Sequence, residues 1–323
     1  MLLKTDRIKE ILASFKNKKI LILGDLMLDT YLTGKVTRIS PEAPVPVVEI
    51  TKEKYCFGGA ANVALNILNL ECIPILIGLI GKDNAGKTFR SLLKKEKIIE
   101  DGIVVSKKRP TTVKTRIIGD NQHITRVDHE SREYAQQEEQ DALLKKIDQY
   151  AGLADAVILQ DYNKGVLTKT IIQHVISLCI KNKIPVSVDP KFFNFNEYKG
   201  VTFFKPNLKE TREALAKKLT DNTALVEAGF ELLANLKAQS VLITRGPQGM
   251  SLFEKNKKVT HIPTLARKVA DVSGAGDTVI ATLTAAYSGG ASKTEAAALA
   301  NKAAGIVVEE VGIISITSKK LAE

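Results

Sequence analysis

Short apolar runs separated by helical patterns of a dozen or more residues recur along this chain, and that alternation limits its fold more than any other feature. The runs are Ile20 to Leu23, Ile73 to Ile80, Ala156 to Leu159, Val186 to Val188, Val201 to Phe204 and Ser240 to Thr244. Uniformly apolar strands joined by helical crossovers predict an α/β fold with a mostly parallel central sheet covered on both faces. Ile8, Ile11, Leu12 and Phe15 fall at helical spacing, which predicts an amphipathic helix over residues 4–16 ahead of the first strand.

Two stretches interrupt the alternation. Residues 29–50 carry Pro41, Pro44 and Pro46 before the strand-like Val45 to Ile50, and residues 111–127 read as β-branched segments around Gly119-Asp120-Asn121. Together they predict one small β-rich lid, able to close over a site at the carboxyl ends of the parallel strands. The 323 residues are then expected to form a single domain with this appendage.

The net charge of +11 admits nucleic acid, a membrane surface or small anionic ligands as partners. The basic clusters, Lys16 to Lys19, Lys94 to Lys97 and Lys107 to Arg109, are short and lack interleaved aromatics, which argues against nucleic acid. Cys56, Cys72 and Cys179 form no close CxxC pair and the four histidines are scattered, so neither a disulfide framework nor a zinc cage is expected. Nothing approaches the ~20 apolar residues of a membrane span. The expected location is the cytoplasm.

Chemistry concentrates in glycine-rich turns. Val272-Ser273-Gly274-Ala275-Gly276-Asp277-Thr278 precedes a run of small apolar residues that reads as a buried helix, so its amides can form an anion hole. Asp277 in that place would repel a bound phosphate, and suits either a base for a hydroxyl attacking phosphorus or a carboxylate stabilising the helix dipole. Gly58-Gly59-Ala60-Ala61-Asn62 opens another helix, where Asn62 could meet a hydroxyl. Asp29 follows the first strand. No GxGxxG motif occurs, which weakens a dehydrogenase reading. Thr244 to Gly249 reads as a turn between strands, and Asn207 as a helix cap after another strand.

Taken in order, these segments resemble the PfkB or ribokinase family of carbohydrate kinases over nearly the whole chain. Gly58 to Ala64 with Gly81 looks like the family's first signature, and Asp271 to Asp277 like its second; Glu71 stands where the family usually carries a small residue. Within the family, Arg38 to Val47, Asp161-Tyr162-Asn163-Lys164-Gly165 and Asp189-Pro190-Lys191 resemble the branch that phosphorylates D-glycero-β-D-manno-heptose 7-phosphate at O1. The resemblance implies a ribokinase-like three-layer α/β/α fold, with ATP and Mg²⁺ as cofactors and room for a monovalent cation. It implies Asp277 as base, with the amides of Gly274, Ala275 and Gly276 stabilising the transferring phosphoryl group. Asp29, Gly58, Gly59, Asn62, Asp161, Lys164, Asp189 and Lys191 would hold the sugar, and Arg38, Arg116 and Arg126 its phosphate. Asn207, Glu210, Thr244, Gly246, Gly249 and Asn301 would meet the nucleotide, with Glu210 reaching Mg²⁺ through water. A homodimer, a separate nucleotidyltransferase and a kinase-only chain are further expectations. The alternatives are another sugar or nucleoside kinase of the family and a non-catalytic sensor.

Overall fold

The computed structural model describes residues 3–266, 268–310, 312 and 314–323. Helix α1 (Thr5–Ala13) leads into β1 (Lys19–Gly24), after which the chain departs through two long strands, β2 (Leu26–Ile39) and β3 (Pro46–Gly59). It returns through α2 (Ala60–Asn69), β4 (Ile73–Gly81), α3 (Asn84–Lys95) and β5 (Ile103–Ser106), then departs again into the hairpin β6 (Thr112–Gly119) and β7 (Gln122–His129). Helix–strand alternation resumes with α4 (Gln137–Tyr150), β8 (Ala156–Gln160), α5 (Lys169–Lys181), β9 (Val186–Asp189) and β10 (Phe203–Phe204). Helices α6 (Leu208–Leu215) and α7 (Asn222–Asn235) precede β11 (Ser240–Thr244), β12 (Met250–Glu254) and β13 (Val259–Ile262). Helices α8 (Ala275–Ser288), α9 (Lys293–Val308) and α10 (Ser318–Ala322) complete the chain.

Among the described residues, nine strands form the main sheet in the order β13-β12-β11-β10-β9-β8-β1-β4-β5. Pairing is parallel from β5 across to β11 and turns antiparallel only at β12 and β13. The apolar runs are buried on both faces because alternate side chains serve two cores. In β1, Ile20 and Ile22 join the core under α1, α2, α8 and α9, while Leu21 and Leu23 join the core under α4, α5 and α7. The chain order reverses between β1 and β8, so a crevice opens at their carboxyl ends, where ligands of open α/β sheets bind.

The two departures make a second sheet of order β3-β2-β6-β7, with β2 antiparallel to β3 and parallel to β6. Asp120 and Asn121 both adopt positive φ, 48° and 65°, as a two-residue hairpin of type I′ requires. This sheet is longer than the sequence suggests. Residues 51–55, Thr-Lys-Glu-Lys-Tyr, offer no apolar face, and they are held extended by pairing with β2 rather than by burial. Conversely, of Val201 to Phe204 only Phe203 and Phe204 form the strand, and only Phe204 pairs with both neighbours. Glu71 sits at φ 65°, which accounts for the small residue usual in its place. Among the described residues, no helix is long and apolar enough to cross a membrane.

Gly24 pairs with Gln160 at the crevice, and a Cβ there would run into the Gln160 carbonyl oxygen. Gly24→Ala should lower stability by about 2 kcal/mol or more, read from the urea midpoint. Gly152→Ala, where an added Cβ meets open space, should cost almost nothing.

Candidate active site

The crevice is organised by Asp25, the first residue after β1. Its buried carboxylate accepts N–H bonds from Tyr162 (2.7 Å), Lys164 (3.0 Å) and Val166 (3.1 Å), so one anion gathers the turn that follows β8. Burial and the neighbouring Asp161 raise the Asp25 carboxyl above the ordinary carboxylate range. Gly165, at φ 84°, lets this turn pass against the Glu133 carbonyl.

That turn delivers Tyr162 to Asp277. Asp277 lies in the first turn of α8 and is 5% exposed. Its Oδ1 accepts from Gln160 Nε2 (3.0 Å) and the Tyr162 hydroxyl (2.7 Å), and its Oδ2 from Asn62 Nδ2 (2.7 Å). These donors come from the end of β8, the turn beyond it, and the first turn of α2. Burial pushes the Asp277 carboxyl up to about 6, against the pull of the Asn62 and Tyr162 hydrogen bonds. Three donors on a carboxylate with about four acceptor sites leave one lone pair, on Oδ2. Burial also holds the Tyr162 hydroxyl far above its ordinary range, so it remains a neutral donor. Behind this layer, Asn66 Oδ1 accepts from Thr278 Oγ1 and from the Ile316 amide, tying α2 to α8.

Gly274 enters α8 at φ 80°. Ala275 spends its N–H on the Val272 carbonyl (3.3 Å), contrary to its expected part in the anion hole. Among the described residues, the amides of Gly276 and Asp277 have no backbone acceptor, and they carry the positive end of the helix. A buried ion pair, Lys205 to Asp189 at 3.0 Å, lies beside Gly276.

A cavity of about 490 Å³ runs from Asp277 past Lys205, Lys191, Asn207 and Glu210 to Thr244 and Gly246. Beyond it a more apolar cavity of about 270 Å³ lies between the β11–β12 turn and helices α8 and α9, with Gly249, Val279, Asn301 and Val308 in its walls. Asn207 caps α6 in a reciprocal box with Glu210, whose other oxygen meets Lys191. These two residues therefore both cap the helix and line the cavity. Asn301 gives one of its two amide hydrogens to the Pro263 carbonyl (2.7 Å), which fixes the side chain in the cavity wall.

The second sheet presents a polar face in ladder rows. One row reads Cys56, Asp29, Lys114 and Asp128; the next reads Lys54, Tyr31, Arg116 and Arg126. Asp29 is buried beside Gly58 and paired with Arg116, whose guanidinium stacks 5.2 Å from the Tyr31 ring centroid. Gly58 and Gly59 end β3, and Gly59, at φ 58°, starts α2.

Several expected substrate contacts are engaged elsewhere. Asp161 accepts from Tyr198 (2.6 Å), Asn194 (3.3 Å) and the Asn163 amide (2.8 Å), as a buried structural group. Lys164 pairs with Glu130 at 2.7 Å. Arg126 is bound to Asp128 on the exposed edge strand, and Arg38 is exposed near the far end of β2, nine residues beyond Asp29 and so about 30 Å of strand away. Gln160, Tyr162 and Lys205 were not singled out from the sequence. Each sits at the carboxyl end of a parallel strand or just beyond it, the one signal that could have found them.

The family model for pfkB family carbohydrate kinases matches residues 17–320. Among curated proteins, the chain is 43% identical over 317 residues to the bifunctional protein HldE of Caulobacter vibrioides, covering 98% of this chain and 65% of that protein. It is 41% identical to the HldE of Haemophilus influenzae, covering 96% of this chain and 64% of that one. The chain thus spans about two thirds of the length of these relatives. Among solved structures, Arabidopsis thaliana ribokinase complexed with ribose and ATP superposes with a TM-score of 0.74 at 20% identity, covering 95% and 97% of the two chains. Escherichia coli phosphofructokinase-2 with fructose-6-phosphate gives 0.77 at 18% identity, covering 94% and 97%. At these identities the likeness concerns the fold.

The raised Asp277 carboxyl has a signed consequence for stability. Its folded pKa, about 6, exceeds the ordinary 3.8, so its favourable contribution is full below pH 4 and is lost as pH rises through 6. Above that window the charge costs the fold about 3 kcal/mol. Asp277→Asn removes this cost, and a turned Asn62 amide could accept from the new Nδ2 through Oδ1, which is now buried without a partner among the described residues. Denaturant titrations should show the variant more stable than wild type, by a margin growing by about 1 kcal/mol between pH 5 and pH 8. A margin independent of pH would contradict the assignment.

Proposed function

The chain belongs to the pfkB family of carbohydrate kinases, and on that footing we propose that it transfers the γ-phosphoryl group of ATP to the anomeric hydroxyl of D-glycero-β-D-manno-heptose 7-phosphate. The product, the 1,7-bisphosphate, would serve ADP-heptose and lipopolysaccharide synthesis once a nucleotidyltransferase acts on it. The observation that carries the reading is the single open lone pair on Asp277 Oδ2, on a carboxylate that is hydrogen-bonded to Asn62 and lines the 490 Å³ cavity. The choice of heptose rests on the Arg38 to Val47 and Asp161 to Gly165 strings.

In this mechanism Asp277 takes the proton of the attacking hydroxyl as the new O–P bond forms and the bond from the γ-phosphorus to the bridging oxygen breaks. The amides of Gly276 and Asp277, at the positive end of α8, stabilise charge on the phosphoryl oxygens. Tyr162 and Gln160 fix the carboxylate through Oδ1. Lys205 and Lys191 supply positive charge along the phosphate cavity, and the apolar cavity beyond takes the base of the nucleotide.

The residues fit a hydrated divalent cation rather than a protein cage. Among the described residues no three candidate ligands cluster, and both Glu210 oxygens are already hydrogen-bonded. Glu210 would hold Mg²⁺ through water, and the ion would neutralise phosphate charge during transfer. Closure of the second sheet as a lid, and pairing of its open edges between two copies, belong to the same proposal.

Labelled γ-phosphate should appear at the anomeric position of heptose 7-phosphate, and Asp277→Asn should lower kcat at least ~10²-fold while nucleotide affinity stays within a few fold. Wild-type turnover in the variant would overturn the role of Asp277. Transfer to another sugar but not to this one would overturn the substrate.

A further inference from the structure

The polar face of the second sheet contains a cavity of about 220 Å³, lined by Tyr31, Thr33, Lys52, Lys54, Cys56 and Gly312. Lys52 lies directly across from Thr33, and Lys54 across from Tyr31, so both lysines share the face that carries Asp29 and Arg116. Their charges contrast with those of the arginines. Arg126 is committed to Asp128, Arg116 gives one nitrogen to Asp29, and Arg38 lies near the far end of β2. Among the described residues, neither Lys52 nor Lys54 forms an ion pair. The Tyr31 hydroxyl, raised to about 12 by burial, stays protonated and able to donate.

We propose that this cavity, with Lys52 and Lys54 as its cations and Tyr31 and Thr33 as hydroxyl donors, binds the phosphate at the non-reacting end of the sugar. The inference rests on the sugar-phosphate reading above and moves the phosphate contact from the expected arginines to β3. Two exposed ammonium groups without carboxylate partners can turn to a dianion without breaking an ion pair, whereas Arg126 would first have to leave Asp128. Arg116, stacked on Tyr31 at the edge of this cavity, has further N–H groups to add. The geometry also orders the substrate. Its reacting end lies at Asp277 and Asn62, its hydroxyls follow Gly58 and Asp29, and its far end runs along β3 toward Lys54, about 13 Å of strand beyond Gly58.

The test compares heptose 7-phosphate with the unphosphorylated heptose in wild type, in Lys52→Gln/Lys54→Gln and in Lys52→Arg/Lys54→Arg. The glutamine pair should raise KM for the phosphorylated sugar at least about tenfold, leave kcat within about threefold and leave KM for the unphosphorylated sugar unchanged. The arginine pair should restore most of the loss, and Arg126→Gln should change KM much less. If wild type prefers the phosphorylated sugar and the glutamine pair keeps that preference, this site falls while the functional reading stands. If wild type shows no preference for the phosphorylated sugar, the sugar-phosphate reading fails, and the site with it.

Discussion

A single buried carboxylate draws the crevice together. Asp277 is held by Asn62, Gln160 and Tyr162, which reach it from α2, from the end of β8 and from the turn beyond. Its charge is expensive to bury, as its raised pKa records, and those three hydrogen bonds offset only part of the cost. The arrangement survives because each donor is itself fixed. Asp25 gathers the turn bearing Tyr162, the β1–β8 register sets Gln160 beside Gly24, and Asn66 ties the helix of Asn62 to that of Asp277.

Around this carboxylate the fold separates two kinds of electrostatics. On the main-sheet side, positive charge is rigid: Lys205 is buried on Asp189, and Lys191 sits between Glu210 and the Tyr162 ring. On the second sheet, charge is arranged by the two-residue period of strands, so that Asp29, Tyr31 and Arg116 share a face with Lys52, Lys54 and Cys56. A carbohydrate kinase needs both. The transferring group requires preorganised charge, whereas a substrate that must enter and leave is served by cations that can move.

Much of the main sheet was legible because its strands are buried on both faces and therefore uniformly apolar. The bounds of β11 are those read from Ser240 to Thr244, and β1 differs by one residue at each end. The second sheet was legible only in part. Proline and glycine marked its turns, but β3 is polar on both faces over residues 51–55, and no hydrophobic period announces it. At the site, Gly-rich turns with a carboxylate pointed to Asp277 and Asn62, since such turns are rare in sequence. Tyr162, Gln160 and Lys205 left no such trace, because a tyrosine, glutamine or lysine at a strand end acquires meaning only when neighbouring strands converge. Arg116 and Asp29 were each taken to face the substrate, and their pairing with each other depends on the parallel β2–β6 register, which local sequence does not encode.

In the proposed reaction Asp277 is the proton acceptor, and its three hydrogen-bond donors set its basicity. The most direct measurement is the pH dependence of kcat/KM in wild type and in Tyr162→Phe. Wild type should lose activity as pH falls through about 6. Removing the Tyr162 hydroxyl takes away a bond that favours the carboxylate, so the acid limb should move to higher pH. An acid limb that stays in place in the variant, or a wild-type profile flat from pH 5 to pH 8, would contradict the account.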